Sequence, residues 1–380
     1  MKKYQLMAPG PTPVPSPVLL AMAQPIIHHR TPEYEALFTE VRGQLKWLFQ
    51  TAEDVVLLTC SGTGAMEAVV VSTLSAGDVV AIVRGGKFAD RFAELAAVYG
   101  LQVVNLEAPF GETVPPARLA EALRARPEIK AVLVQHSETS TGVLHDVRGY
   151  AEVTRGTAAI LVVDAVSSLG IAELAMDAWG VDAVVAGSQK GLMLPPGLAF
   201  CALSAKAWRH AAAARLPKYY FDLAAERKAG AKNDVRFTPA VSLVIGLREA
   251  LRMMQAEGLA NVVKRHDLLA RATRAGVEAL GLRLFAKAPP SPAVTAVVAP
   301  AGVDSETIVA AFSKEHDITI AGGQGEMKGK LFRLGHMGYV AEFDVITALA
   351  ALEQVLAGLG LPVDFGASVR AAQKVFAEKA

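Results

Sequence analysis

Lysine at the exit of an apolar run is poorly placed to solubilise a protein and well placed to act as a nucleophile. Lys190 follows Val184-Val185-Ala186-Gly187-Ser188-Gln189 and precedes Gly191-Leu192-Met193-Leu194-Pro195-Pro196-Gly197. Desolvation there disfavours the ammonium form and lowers the pKa. The amine can then add to an aldehyde and form a Schiff base. Upstream, Ala159-Ile160-Leu161-Val162-Val163-Asp164 reads as a second buried strand, with a carboxylate at its carboxyl end. Two such parallel strands present Asp164 and Lys190 on the rim where α/β sheets bind ligands. An acid for a pyridinium nitrogen and an amine for an aldehyde are the two groups that pyridoxal phosphate requires.

Other polar segments also follow apolar runs. Ser61-Gly62-Thr63-Gly64-Ala65 opens a helix that continues through Met66, Val69 and Val70. Its small residues let the backbone approach an anion, the helix N-terminus supplies N–H groups, and Thr63 adds a hydroxyl. The spacing matches neither a P-loop nor a dinucleotide fingerprint, and a tight strand-to-helix turn explains it equally well. In Arg84-Gly85-Gly86-Lys87-Phe88, Phe88 either stacks on a flat ring or fills the core. The cluster from His136 to Val143 is rich in hydroxyls, which suit a phenolate oxygen or ordinary turn chemistry. His28-His29-Arg30 and His336 lack the carboxylate or cysteine spacing of a metal site, so no metal is expected. The histidines and Arg30 suit a solvated loop. Arg333, in an apolar strand, reads as an anion clamp or as half of a buried ion pair.

The elements that must position these groups are visible in the hydrophobic pattern. Short apolar runs at Val55 to Thr59, Val79 to Val83, Leu101 to Leu106, Ala131 to Gln135, Ala159 to Asp164, Ala183 to Ala186 and Leu198 to Leu203 alternate with helical patterns. That alternation predicts a mostly parallel seven-stranded sheet covered on both faces. Ala8 to Pro17 reads as an extended arm. Thr31-Pro32 starts a helix with Tyr34, Leu37, Phe38, Val41, Leu45 and Leu48 on one stripe. A helix over about Ala240 to Glu257 breaks at Gly258. A longer helix from Leu259 to Leu280 follows, then strands at Ala293 to Val298, Ile318 to Ala321 and Leu331 to Leu334. The division expected is an arm at 1–17, a large α/β domain at 18–257 and a smaller α+β domain at 258–380.

Composition excludes several classes of function. The chain has 380 residues, 38 Lys and Arg against 37 Asp and Glu, and 52% hydrophobic residues, which suits a large core. A net charge of +1 suggests neither nucleic acid nor an acidic membrane as partner. No membrane span or secretion signal is evident, so a cytoplasmic protein is expected. Cys60 and Cys201 cannot build a disulfide framework, and both read as reduced core residues in strands.

Taken together, Ser-Gly-Thr-Gly at 61–64, Glu-Thr-Ser-Thr-Gly at 138–142, Val-Asp-Ala-Val-Ser-Ser at 163–168, Gly-Ser-Gln-Lys-Gly at 187–191 and Phe-Arg-Leu-Gly-His-Met-Gly at 332–338 resemble the class V aminotransferases. The alanine–glyoxylate and serine–glyoxylate (serine–pyruvate) branch is the nearest. The resemblance runs in order over nearly the whole chain. It implies pyridoxal phosphate fold type I, aspartate-aminotransferase-like, and a homodimer with active sites at the subunit interface.

The resemblance also implies roles. Lys190 would form the internal aldimine, and Asp164 would partner the pyridine nitrogen. Phe88 would stack on the ring, and His28, His29 and Arg30, with His336 beside Arg333, would line the entrance to the substrate pocket. Thr63, Gly64, Ala65 and Gln189 would cradle the phosphate, and Ser140 would sit near the phenolic oxygen. Arg333 would grip the substrate carboxylate, and Thr238 would reach the phosphate of the neighbouring subunit's cofactor. Val235 stands where some relatives have a tyrosine, so one cross-subunit contact of those relatives is missing.

The activity implied moves an amino group from alanine or serine to glyoxylate or pyruvate. With no second arginine evident for a distal carboxylate, glutamate and aspartate are disfavoured as donors. A cysteine-desulfurase-like lyase is the enzymatic alternative. A scaffold is the non-catalytic one, because relatives of this branch have been labelled subunits of a soluble hydrogenase.

Overall fold

The computed structural model describes residues 3–287 and 289–378. The first half of the chain alternates strand and helix. After β1 (Gln5–Leu6), α1 (Ser16–Met22) and α2 (Pro32–Phe49) come β2 (Val55–Leu58), α3 (Gly62–Thr73), β3 (Val79–Arg84), α4 (Lys87–Val98) and β4 (Gln102–Glu107). Next are α5 (Pro116–Ala125), β5 (Ile129–Gln135), the short pair β6 (Ser137–Glu138) and β7 (Val143–Leu144), α6 (Val147–Arg155) and β8 (Ile160–Asp164). They are followed by α7 (Met176–Trp179), β9 (Ala183–Gly187), β10 (Ala199–Leu203), α8 (Ala205–Ala213) and α9 (Leu223–Gly230).

All seven apolar runs become strands of one sheet, in the order β2-β10-β9-β8-β5-β3-β4. Only β10 runs antiparallel, to both β2 and β9; the other pairings are parallel. The two-residue side-chain period sorts each strand between two cores. Leu57, Ala81, Val132, Leu161 and Val184 face α2, α6 and α10 (Val241–Glu257), while Leu58, Ile82, Leu133, Val162 and Val185 face α3, α4 and α8. Burial on both faces is why the runs read as continuously apolar.

Thr31 caps α2, its hydroxyl accepting from the Tyr34 amide, and Pro32 opens the helix. At Gly258 φ is +83°, where α10 hands over to α11 (Leu259–Ala279). Beyond it lie β11 (Val294–Val298), α12 (Ser305–His316), β12 (Ile318–Thr319), β13 (Ala321–Gly322), β14 (Leu331–Gly335), α13 (Glu342–Gly358) and α14 (Ala367–Ala377). Their core is a separate cluster built on Leu269, Phe312, Phe332, Leu349 and Leu352.

Two expectations need correction. The apolar run at 318–321 is not one strand. Ile318 and Thr319 pair in parallel with β1, whereas Ala321 and Gly322 pair with β14. The run changes partner at Ile320, which is buried. The proline-rich arm is extended only as far as Pro15, because Ser16 begins α1. Residues 1–2 of the arm lie outside the described residues. Among the described residues, no helix is long and apolar enough to cross a membrane.

The arm is tied down where it crosses β14. The Gly335 amide donates to the Met7 carbonyl at 2.5 Å, and a Cβ on Gly335 would lie 2.4 Å from the Ala8 carbonyl oxygen. Backbone cannot move aside as a side-chain tip can. Gly335→Ala is therefore expected to lift the arm and destabilise the protein by about 1–3 kcal/mol, the usual cost of overpacking. Denaturant unfolding measures this directly; an unchanged midpoint would contradict the packing.

Candidate active site

The carboxyl ends of β3, β5, β8 and β9 converge on one rim, where the strand order reverses between β3 and β5. Sheets of this kind leave a ligand crevice at such a point. A cavity of about 110 Å³ opens there, lined among others by Thr63, Phe88, Thr139, Asp164, Gln189 and Lys190.

Lys190 follows β9, and its amine donates to the Pro9 carbonyl of the arm. The arm holds the lysine backbone as well. Thr12 donates its amide to the Gln189 carbonyl at 3.2 Å and its hydroxyl to the Lys190 carbonyl at 3.1 Å. Gly10 makes room for this approach: its φ is +112°, and a Cβ there would lie 2.3 Å from the lysine Nζ. Burial brings the Lys190 pKa down to about 8; Arg333 and Arg91 add to the fall, and Asp164 opposes it.

Asp164 ends β8 and accepts from the Val166 amide at 2.9 Å. Burial pushes its carboxyl up to about 6, while that amide, Arg91 and Lys190 pull it back. The acid and the amine are each bonded to backbone, and neither is bonded to the other. Space between them is left for a third group.

That space suits pyridoxal phosphate. Phe88 supplies a flat apolar wall, and Ser61, Gly62 and Thr63 bring the first turn of α3 to the cavity. A Cβ on Gly62 would lie 2.6 Å from Val166, so only glycine keeps this wall thin. Gln189 lines the cavity with its Oε1 buried and without a donor, and only its Nε2 could donate to an anion. Acid, amine, ring wall and anion cradle match the cofactor's ring nitrogen, aldehyde, ring and phosphate.

Several residues named from the sequence lie elsewhere. Ser140 does not line the cavity. Its hydroxyl donates to Glu138 at 2.6 Å, and the preceding residue, Thr139, takes the place at the wall. Both residues lie in the turn between β6 and β7, where the chain reverses and neighbouring side chains leave in different directions. Gly64 and Ala65 are buried behind the cradle, and a Cβ on Gly64 would lie 2.7 Å from the Cys60 sulfur and 3.1 Å from Phe221. Thr238 is exposed, in a shallow depression with Tyr220 and Phe237. His28 and His29 stack on each other at 4.6 Å, and Arg30 pairs with Asp234, all away from the cavity. His336 is buried, its Nε2 2.9 Å from the Thr295 hydroxyl and its Nδ1 without a partner; burial lowers its pKa to about 3.

Arg333, on β14, is buried and donates to the carbonyls of Gly322 at 2.9 Å and Thr139 at 3.0 Å. Burial lowers its pKa to about 10, and the Glu138 carboxylate opposes that fall. Cys60 sits in the turn after β2, not in a strand, and burial raises its thiol to about 12. Cys201 is in β10, also with a raised pKa, and neither cysteine lines the cavity. No group of three or more His, Cys, Asp or Glu among the described residues could hold a metal ion.

Two charged residues were missed. Arg91 lines the cavity, donates to the Thr63 hydroxyl at 3.1 Å and lies 5.0 Å over the Phe88 ring. It is one helical turn beyond Phe88, so the i, i+3 spacing could have found it. Glu138 is wholly buried within the polar cluster, and composition alone does not separate it from the hydroxyls around it.

Comparison with known proteins gives one family. Residues 6–335 match the model described as aminotransferase class V. A protein of Synechococcus sp. (strain PCC 6716) named soluble hydrogenase, small subunit, is 47% identical over 98% of both chains. The L-aspartate–glyoxylate aminotransferase of Paracoccus denitrificans is 40% identical over 97% of this chain and 95% of its own. The crystal structure of an alanine–glyoxylate aminotransferase from Nostoc sp. is 33% identical. It superimposes with a TM-score of 0.89 over 94% of this chain and 96% of that one.

The charges around Lys190 make its titration testable. In cofactor-free protein, isotope-edited NMR of the lysine side chains is expected to show Lys190 losing its proton near pH 8. Asp164→Asn removes a charge that favours the ammonium and should lower that pKa; Arg333→Gln removes one that disfavours it and should raise it. A Lys190 titrating like a surface lysine in all three proteins would contradict the site.

Proposed function

Because the chain belongs to the class V aminotransferases, which use pyridoxal 5′-phosphate, we propose that it moves an amino group from alanine or serine to glyoxylate or pyruvate. Its fold is the type I fold of these enzymes. The observation that carries the reading is the desolvated Lys190 amine facing Asp164 across one cavity without bonding to it.

Bound there, pyridoxal phosphate supplies an aldehyde for amines and an electron sink for the bond broken at the substrate α-carbon. The chain's residues provide the rest. Asp164 holds a proton on the ring nitrogen, where its charge is worth most in a low-dielectric site. Phe88 covers one ring face. The first turn of α3, with Thr63 and Gln189, holds the phosphate, and Gly64 and Ala65 shape that turn from behind. Thr139 takes the phenolic oxygen, in the place first given to Ser140.

Lys190, once its amine is free, takes the proton from the substrate α-carbon and returns it at the cofactor's exocyclic carbon, as general base and then acid. An amine with a pKa near 8 can do both near neutral pH. Arg333 binds the substrate carboxylate through its planar fork. Over two half-reactions, amino acid plus 2-oxo acid gives the corresponding oxo acid and amino acid.

Arg91 is the arginine that lines the cavity, and it donates to the Thr63 hydroxyl at the anion cradle, whereas Arg333 meets the cavity wall through the Thr139 carbonyl. Small, monocarboxylic donors remain the proposal, and a relative named L-aspartate–glyoxylate aminotransferase makes aspartate the donor to test against them. Thr238, exposed in one chain, is assigned to the cofactor phosphate of a partner subunit in a homodimer. Similarity to a protein named as a hydrogenase subunit motivates a second reading, a structural role within an assembly. Such a role needs no desolvated amine, which favours catalysis. A desulfurase-like lyase would need a thiolate at the cavity, and neither cysteine is there.

Lys190→Ala should cut alanine– or serine–glyoxylate transamination by about 100- to 10,000-fold, the usual worth of a general base, or more. Arg333→Gln should raise KM for the amino acid at least about tenfold, the cost of one lost charge-assisted contact. Steady-state kinetics with both donors checks each; near-normal turnover by Lys190→Ala would refute the assignment.

A further inference from the structure

Helix α4 carries Phe88 yet has no side-chain cap of its own, since Gly86 stands at its N-cap. Its leading amides are instead received by groups from the β6–β7 hairpin. Phe88 and Ala89 donate to Glu138 Oε2 at 3.1 and 3.2 Å. The other carboxylate oxygen, Oε1, accepts the Ser140 amide at 3.0 Å and the Ser140 hydroxyl at 2.6 Å. That hydroxyl accepts from the Lys87 amide at 3.0 Å, so three consecutive amides of the first turn end on one Glu138–Ser140 unit. Further along the turn, the Phe88 carbonyl accepts from Gln135 at 3.0 Å, which fixes its backbone on both sides. Gly86 is required by this arrangement, because a Cβ there would lie 2.3 Å from Glu138 Cγ and Cδ.

A wholly buried carboxylate is a costly cap when a local serine or aspartate would serve. Burial pushes the Glu138 carboxyl up from its ordinary range, while the bonds from Ser140 and Ala89 pull it back. Every bond it makes is accepted from a donor, and a helix N-terminus favours negative charge. A second use accounts for the choice. Arg333 donates to the carbonyl of Thr139, the next residue, and Glu138 is the carboxylate that acts on it. Glu138 thus anchors the turn that carries Phe88 and directly precedes the residue whose carbonyl receives the buried guanidinium.

We propose that Glu138 is a positioning residue that holds Phe88 against the cofactor ring and supplies the fixed negative charge beside Arg333. The proposal rests on reading this cavity as the cofactor site. Its test uses the full chain with Glu138→Gln, which keeps the shape, and Ser140→Ala, which removes the Lys87 acceptor and one donor to Glu138 and serves if the first variant folds poorly.

In cofactor-free protein, amide hydrogen exchange at Phe88 and Ala89 should quicken about tenfold or more in Glu138→Gln, as expected when a charged acceptor is lost. Ser140→Ala should quicken exchange at Lys87. Pyridoxal phosphate affinity, followed by visible absorption, should fall about tenfold in Glu138→Gln but no further when Phe88→Ala is already present. KM for the amino acid should likewise rise with Arg333 present and not in an Arg333→Gln background.

Additive effects in both cycles would mean that Glu138 only stabilises the fold, and unchanged exchange would mean that it does not hold the turn; either overturns the proposal. Wild-type protein that binds no pyridoxal phosphate would instead sink the cofactor reading, and the exchange arm would still decide whether Glu138 holds Phe88.

Discussion

An amine that must attack an aldehyde near neutral pH has to be kept out of water without being locked into an ion pair. Much of this structure serves that constraint on Lys190. β9 delivers the lysine to the rim, and the arm closes over it, with Pro9 accepting from its amine and Thr12 holding its backbone. The arm can do so because Gly10 has no side chain and because β1 is anchored on β12 far along the chain. Burial lowers the lysine's pKa, and the opposite charge that would raise it again is kept across the cavity.

The same low-dielectric setting governs the other charges. Asp164, Arg91 and Arg333 act on the lysine and Glu138 acts on Arg333, and each is satisfied mainly by backbone groups or hydroxyls. Asp164 has an amide, Glu138 has amides and Ser140, Arg91 has Thr63, and Arg333 has two carbonyls. Held this way, charges stay free to act on a bound molecule instead of neutralising one another. Mutual ion pairs would be satisfied and chemically inert. Preorganised charge around an exchangeable ligand is the largest electrostatic asset an active site can have.

How much of this could be read in the residues follows from local physics. The seven strands were legible because a sheet buried on both faces must be written as short, continuous apolar runs. Asp164 and Lys190 were legible because polar residues at the ends of such runs reach the rim. Thr139, which lines the cavity where Ser140 was expected, could not be told from it because the run of hydroxyls carries no marker of which side chain faces inward. Glu138 was hidden because its burial depends on α4 and β14, which lie far away in sequence. The pairing of Gln5 and Leu6 with Ile318 and Thr319 had no local signal at all, since only the tertiary fold brings them together. Gly10 and Gly86 gave no sign of what they make room for, because the crowding atoms belong to Lys190 and Glu138.

The central claim is that Lys190 and Asp164 turn a bound pyridoxal phosphate into an amino-group carrier. The most direct measurement is the visible absorption of the cofactor-loaded protein, with L-alanine, L-serine and L-glutamate added separately and glyoxylate added afterwards. The account predicts that alanine or serine bleaches the band, that glyoxylate restores it, and that glutamate does neither. A cofactor band that no donor alters, or protein that never acquires one, would contradict it.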